Sequence, residues 1–91
     1  MIPAKEKQLY ALAKKKWGNS QLIMWFEESS ELTKALTKSL RGKENLGDII
    51  EEIADCQIML DQLKVYFDVE NHVRQQQEYK LSKLKKLLGD E

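Results

Sequence analysis

After Pro3 the chain contains no second proline, and its turn-forming residues gather at three places: Gly18-Asn19, Gly42 to Asn45, and Asp68 to Asn71. Proline and glycine are the strongest local interrupters of regular structure. The stretches between them are therefore free to be long helices. β-Branched runs are few, and no Asn-Gly or Asp-Gly pair offers a hairpin turn. The punctuation predicts four helices, over about 3–16, 20–40, 46–67 and 69–88. Pro3 suits a first helical turn. Asn19 or Ser20 and then Asn45 are the expected N-caps, and Gly89 the last stop. Leu9, Leu12 and Ala13 are expected on the inner side of the first helix. Short turns between long helices favour antiparallel neighbours. The expected fold is all-α, a four-helix bundle in a single domain over residues 1–91.

Ninety-one residues bury a smaller share of their surface than a larger domain does, which makes association with a second copy an expectation. Hydrophobic residues are 42% of the chain, too many for compositional disorder. The formal net charge is zero, so nothing global points to nucleic acid or to an anionic membrane. The charge is unevenly placed, however. Between Glu27 and Asp61 there are nine Asp or Glu and four Lys or Arg, while compensating lysines lie at the two ends. Cys56 is the only cysteine, which excludes an intrachain disulfide and favours a reducing compartment. The opening MIPAKEKQ lacks the apolar stretch of a signal peptide. No apolar run approaches the roughly 18 residues of a membrane span. The expected location is the cytoplasm, with no membrane partner.

The acids form a repeated pattern. The second helix carries Glu27-Glu28-Ser29-Ser30-Glu31 and the third Glu51-Glu52-Ile53-Ala54-Asp55, both reading acid-acid-x-x-acid. Residues three apart share a helix face, so Glu28 projects with Glu31 and Glu52 with Asp55. Glu28 follows Met24 and Trp25 by one turn and precedes Leu32 by another. Glu52 follows Ile49 by three and precedes Cys56 by four. Both acids intrude on the apolar sector of their helix, with Glu31 and Asp55 at matching flanks. Unpaired carboxylates are costly there, and few basic residues lie on those stripes. A divalent cation resolves the conflict. An all-oxygen donor set suits Mg²⁺ or Mn²⁺ rather than zinc. A di-iron bundle wants Glu-x-x-His pairs, and the lone His72 does not follow a glutamate by three.

The segments WFEESSELTKAL and EEIADCQIMLDQL, with twenty residues between Glu31 and Glu52, resemble the MazG-like group of the all-α nucleoside triphosphate pyrophosphatases. That group's signature is E-x-x-E on one helix and E-x-x-D on the next. The likeness takes in the leading Trp17-Gly18 and the lysine-rich EYKLSKLKKLL near the C-terminal end. It implies Mg²⁺-dependent hydrolysis of a (d)NTP to a (d)NMP and pyrophosphate, with Glu28, Glu31, Glu52 and Asp55 as metal ligands. Glu27, Glu28 and Glu52 are the implied catalytic acids, with Glu27 matching a further acid of some members. Lys80 and Lys83 are the implied phosphate contacts, with Lys38 and Lys34 as alternatives. Trp17 or Trp25 is a candidate to stack on a base. The resemblance also implies a homodimer or homotetramer. Housecleaning and nucleotide-pool control are both compatible roles, and phosphoribosyl-ATP, dUTP and dCTP hydrolases share the acid pattern. The apolar stripe Leu60, Leu63, Tyr66 and Phe67 is the expected partner-facing surface.

Two readings compete with the enzyme. A helical adaptor whose acidic face binds a basic partner predicts no stabilisation by metal. A nucleic-acid-binding helix pair conflicts with the neutral net charge and the acidic central helices.

Overall fold

A computed structural model describes residues 1–89. Four helices follow one another: α1 (Ala4–Trp17), α2 (Ser20–Leu40), α3 (Leu46–Tyr66) and α4 (Glu70–Leu87). No strand occurs among the described residues. The helix breaks fall where the glycines and the Asp68 region predict them. Gly18 turns the chain between α1 and α2 with φ of 53°, a region that L side chains enter at a cost. Asp68 makes the corresponding turn between α3 and α4 at φ 55°. Aspartate is among the residues that tolerate this conformation best.

α2 and α3 pack along each other as an antiparallel pair. Three hydrogen bonds pin their register, at positions seven residues apart on α2. Gln62 Nε2 donates to Gln21 Oε1 at 3.3 Å. Cys56 Sγ donates to the Glu28 carbonyl at 3.5 Å. Asn45 Nδ2 donates to the Ala35 carbonyl at 3.0 Å. Seven residues is close to two helical turns, so one seam of α2 supplies all three partners.

The expected caps are not made by side chains. Asn45 stands at the N-cap of α3 but makes no side-chain cap bond, because its amide reaches across to Ala35 instead. Asn19 makes none at α2 either. Gln21 closes that turn by donating from Nε2 to the Gly18 carbonyl at 3.0 Å.

α1 lies against the Ile58 and Gln62 flank of α3, burying Tyr10 and Ala13. Leu9 and Leu12, expected inside, are each 63% exposed. Ala13 is buried as expected, but its inward companion one turn earlier is Tyr10. α4 buries none of its residues. It is joined to the body near its first turn, where Glu70 accepts the Ile2 N–H at 3.0 Å and pairs with Lys7 at 2.9 Å. The four helices therefore do not close around one shared core within a single chain. The apolar core is small: Ile2, Tyr10, Ala13, Ala35, Cys56 and Met59. No described helix is long and apolar enough to cross a membrane.

Candidate metal centre

Halfway along the α2–α3 seam, Glu28, Glu52 and Asp55 bring one carboxylate oxygen each to within 4.8 Å of one another. All three are half-buried. Glu28 comes from α2, and Glu52 with Asp55 from one turn of α3. The Cys56–Glu28 bond lies beside them and fixes how the two helices meet there.

Glu52 is the strained member. Its Oε2 is buried and has no hydrogen-bond partner. Burial pushes its pKa up, and the charges of Asp55, Glu28, Glu31 and Glu51 push it further the same way. A carboxylate that loses water without gaining a donor favours its neutral form. The sequence alone foresaw this conflict at Glu52 and Glu28, since both stand in apolar sectors.

Glu31 is one turn beyond Glu28, exposed, with its carboxylate 3.7 Å from Lys34. It is close enough to act on Glu52 electrostatically, but it lies outside the tight group of three. Glu27 is exposed. Cys56 is buried and donates to a backbone carbonyl, and burial followed by Glu28, Glu52 and Asp55 pushes its thiol pKa up. It is a core residue beside the acids and brings no thiolate to them.

The candidate substrate residues are scattered. Lys80 and Lys83 both stand over the ring of Tyr79 on α4, at 5.9 and 5.3 Å. Lys38 lines an outer groove of α2 with Thr33, Lys34, Thr37 and Arg41. Trp25 is half-buried. Trp17 lines an apolar hollow between α1 and α3, together with Tyr10, Leu12, Ile58 and Gln62. Asp55, Ile58 and Gln62 are spaced i, i+3, i+7, so they share one flank of α3. The hollow therefore lies on the same flank of α3 as Asp55, one to two turns further along, and none of the three acids lines it.

Sequence reasoning missed the buried amide pair Gln21 and Gln62, 0% and 7% exposed. The signal was present: Gln21 precedes Glu28 by seven and Gln62 follows Asp55 by seven, each within an apolar row.

Comparison with family models, with curated proteins and with solved structures finds no match to this chain.

Proposed function

We propose that this chain is a Mg²⁺-dependent nucleoside triphosphate pyrophosphohydrolase of the MazG-like type, releasing a (d)NMP and pyrophosphate. The observation that carries the reading is the trio Glu28, Glu52 and Asp55, converging from two helices with a buried, partnerless oxygen on Glu52. The donor set is all carboxylate oxygen, which suits Mg²⁺ or Mn²⁺. Glu28, Glu52 and Asp55 hold the cation in this reading, with Glu31 completing the set from the next turn of α2.

A divalent cation in such a site supplies Lewis acidity toward phosphoryl oxygens and lowers the pKa of water. The protein's own part is to hold the acids in register through the Cys56–Glu28 and Gln62–Gln21 bonds, so that the carboxylates need no rearrangement. Glu27, exposed and next to Glu28 in the chain, is in this reading the acid that accepts a proton from water. The Trp17 hollow on the Asp55 flank offers an apolar, partly aromatic wall for a base. Lys34 stands beside the acids in this reading through its pairing with Glu31 at 3.7 Å. Lys38, Lys80 and Lys83 reach phosphates in this reading only across a substrate or from another copy. The protein works as a homodimer or homotetramer.

Purified protein incubated with Mg²⁺ and a panel of canonical and modified dNTPs tests the proposal. Monophosphate and pyrophosphate are expected, and Glu52→Gln abolishes both. An intact panel, with folded protein and Mg²⁺ or Mn²⁺ present, overturns it.

A further inference from the structure

Gln62 is a buried polar residue, 7% exposed, and it lines the hollow between α1 and α3. Its amide belongs to a directed relay. The Gly18 carbonyl can only accept, so Gln21 turns Nε2 toward it, at 3.0 Å. That leaves Gln21 Oε1 facing Gln62, which must answer with a donor, and Gln62 Nε2 does so at 3.3 Å. The two ends of an amide are alike in shape and are told apart by such partners. Here the chain of partners fixes both glutamines. Gln21 is 0% exposed and does not line the hollow, so it serves the relay alone. Gln62 Oε1 accepts no hydrogen bond from the described residues, and it is the part of the relay left over for a ligand.

We propose that Gln62 Oε1 is the specificity-determining acceptor of this hollow, taking an N–H from the edge of a nucleobase stacked on Trp17, with Gln21 as the positioning residue behind it. The inference rests on the pyrophosphohydrolase reading for its occupant. Three observations support it. The first is the chemistry of the lining. The walls are mainly apolar, Lys16 and Trp17 bring only N–H donors, Tyr10 brings a hydroxyl, and Gln62 brings the one side-chain carbonyl. Apolar walls with a few placed polar groups make a small-molecule site, and the volume of about 360 Å³ is large enough for one. The second is placement. Gln62 follows Asp55 by seven residues, about 10 Å along the axis of α3. A nucleotide with its phosphates at the carboxylates can therefore lay its base beside Gln62. The third is preorganisation. Gly18, which anchors the relay, directly follows Trp17, so one turn of chain sets both the stacking ring and the acceptor. The ligand class is a base that carries an amino group or a ring N–H on its edge. A base stripped of that N–H displaces water from Oε1 and leaves it unpaired.

Calorimetric titration of the full chain with α,β-imido nucleoside triphosphates and Mg²⁺ tests the assignment. The probes come in pairs that differ by one N–H group: adenine against unsubstituted purine, cytosine against 2-pyrimidinone, and thymine against N3-methylthymine. For at least one pair, the base that keeps its N–H is expected to bind about tenfold more tightly or better. Gln62→Met keeps an unbranched side chain in place and is expected to bring that pair close to equal, by weakening the N–H member alone. Gln21→Met, which frees Gln62 to turn, is expected to narrow the same ratio by less. If Gln62→Met does not fold, Gln21→Leu/Gln62→Met removes both amides and takes its place. A purely structural pair would weaken both probes alike and keep the ratio. Wild-type protein that binds every pair equally overturns the inference, and so does a folded Gln62 variant that keeps the wild-type ratio. Binding of none of the probes overturns the inference and the hydrolase reading together. Hydrolysis of the parent dNTPs with equal binding of the pairs overturns the role of Gln62 alone. Unequal pairs that become equal in the Gln62 variant, with no parent dNTP hydrolysed, uphold Gln62 and overturn the hydrolase reading.

Discussion

The backbone N–H of Ile2 donates to Oε1 of Glu70 at 3.0 Å, joining the start of α1 to the first turn of α4. Lys7 closes on the other oxygen of the same carboxylate at 2.9 Å. α4 buries no residue, so this clasp is a principal tie between α4 and the rest of the chain.

The clasp predicts an acid-sensitive attachment. The Ile2 N–H, followed by the Lys7 ammonium, holds the Glu70 carboxyl below the usual range, outweighing the opposing effect of burial. A group with a lowered folded-state pKa contributes stability above its unfolded value, and that stability is lost as pH falls through the folded value. Glu70→Gln is therefore expected to melt at a lower temperature than wild type near pH 7. The two melting temperatures should converge once the pH is below the folded pKa of Glu70. A constant gap across that window contradicts the assignment.

Glu52 gives the opposite sign. Its pKa is raised, chiefly by burial and then by Asp55 and Glu28. Ionising it therefore costs stability, and the cost grows as pH rises from its unfolded value through the folded one. Without divalent metal, Glu52→Gln is expected to melt above wild type at pH 7, with the difference shrinking toward pH 4. With Mg²⁺ the order should reverse. Selective binding to the folded state stabilises wild type by about 2.7 kcal/mol at a hundredfold excess over the dissociation constant. The variant, lacking a ligand, should gain far less. Melts with and without Mg²⁺ at two pH values check both signs.

The acid pattern of this site was legible because carboxylates at three-residue spacing inside apolar sectors conflict with their surroundings wherever the helices pack. Glu28, Glu52 and Asp55 meet as that conflict predicts, and the breaks at Gly18, Gly42 and Asp68 carry the helix boundaries to within a residue or two. What the sequence hid depends on partners distant in the chain. Asn45 looks like a cap, but Ala35 offers its amide a better-placed carbonyl across the hairpin. Leu9 and Leu12 look like core, but α1 rotates to bury Tyr10 and Ala13 against α3. Periodicity names an apolar face without saying which neighbour covers it, and for α1 part of that face stays open.

The buried amides predict a large local cost. Gln62 Nε2 is the donor to Gln21 Oε1, in a position with almost no access to water. Gln62→Ala removes that donor and leaves the Gln21 oxygen buried, a change of about 1–3 kcal/mol for an unsatisfied polar group. A drop in melting temperature of several degrees is expected at this chain length. Gln21→Leu/Gln62→Leu removes both polar partners together and should recover part of the loss. A double variant less stable than Gln62→Ala argues that the pair is held for more than mutual satisfaction.

Cys56 predicts a silent thiol. It is buried, its Sγ donates to the Glu28 carbonyl, and burial with three nearby acids pushes its pKa up. The thiolate is the reactive form, and here it is both scarce and shielded. At pH 8 a thiol reagent is expected to label native protein many times more slowly than protein unfolded in urea. Glu52→Gln removes one of the three charges that raise the pKa, so any native labelling should become faster in that variant if folding is retained. Native Cys56 labelling as fast as the unfolded chain would show that the α2–α3 seam opens freely at its midpoint, and a seam that opens there cannot hold the carboxylates in one fixed group.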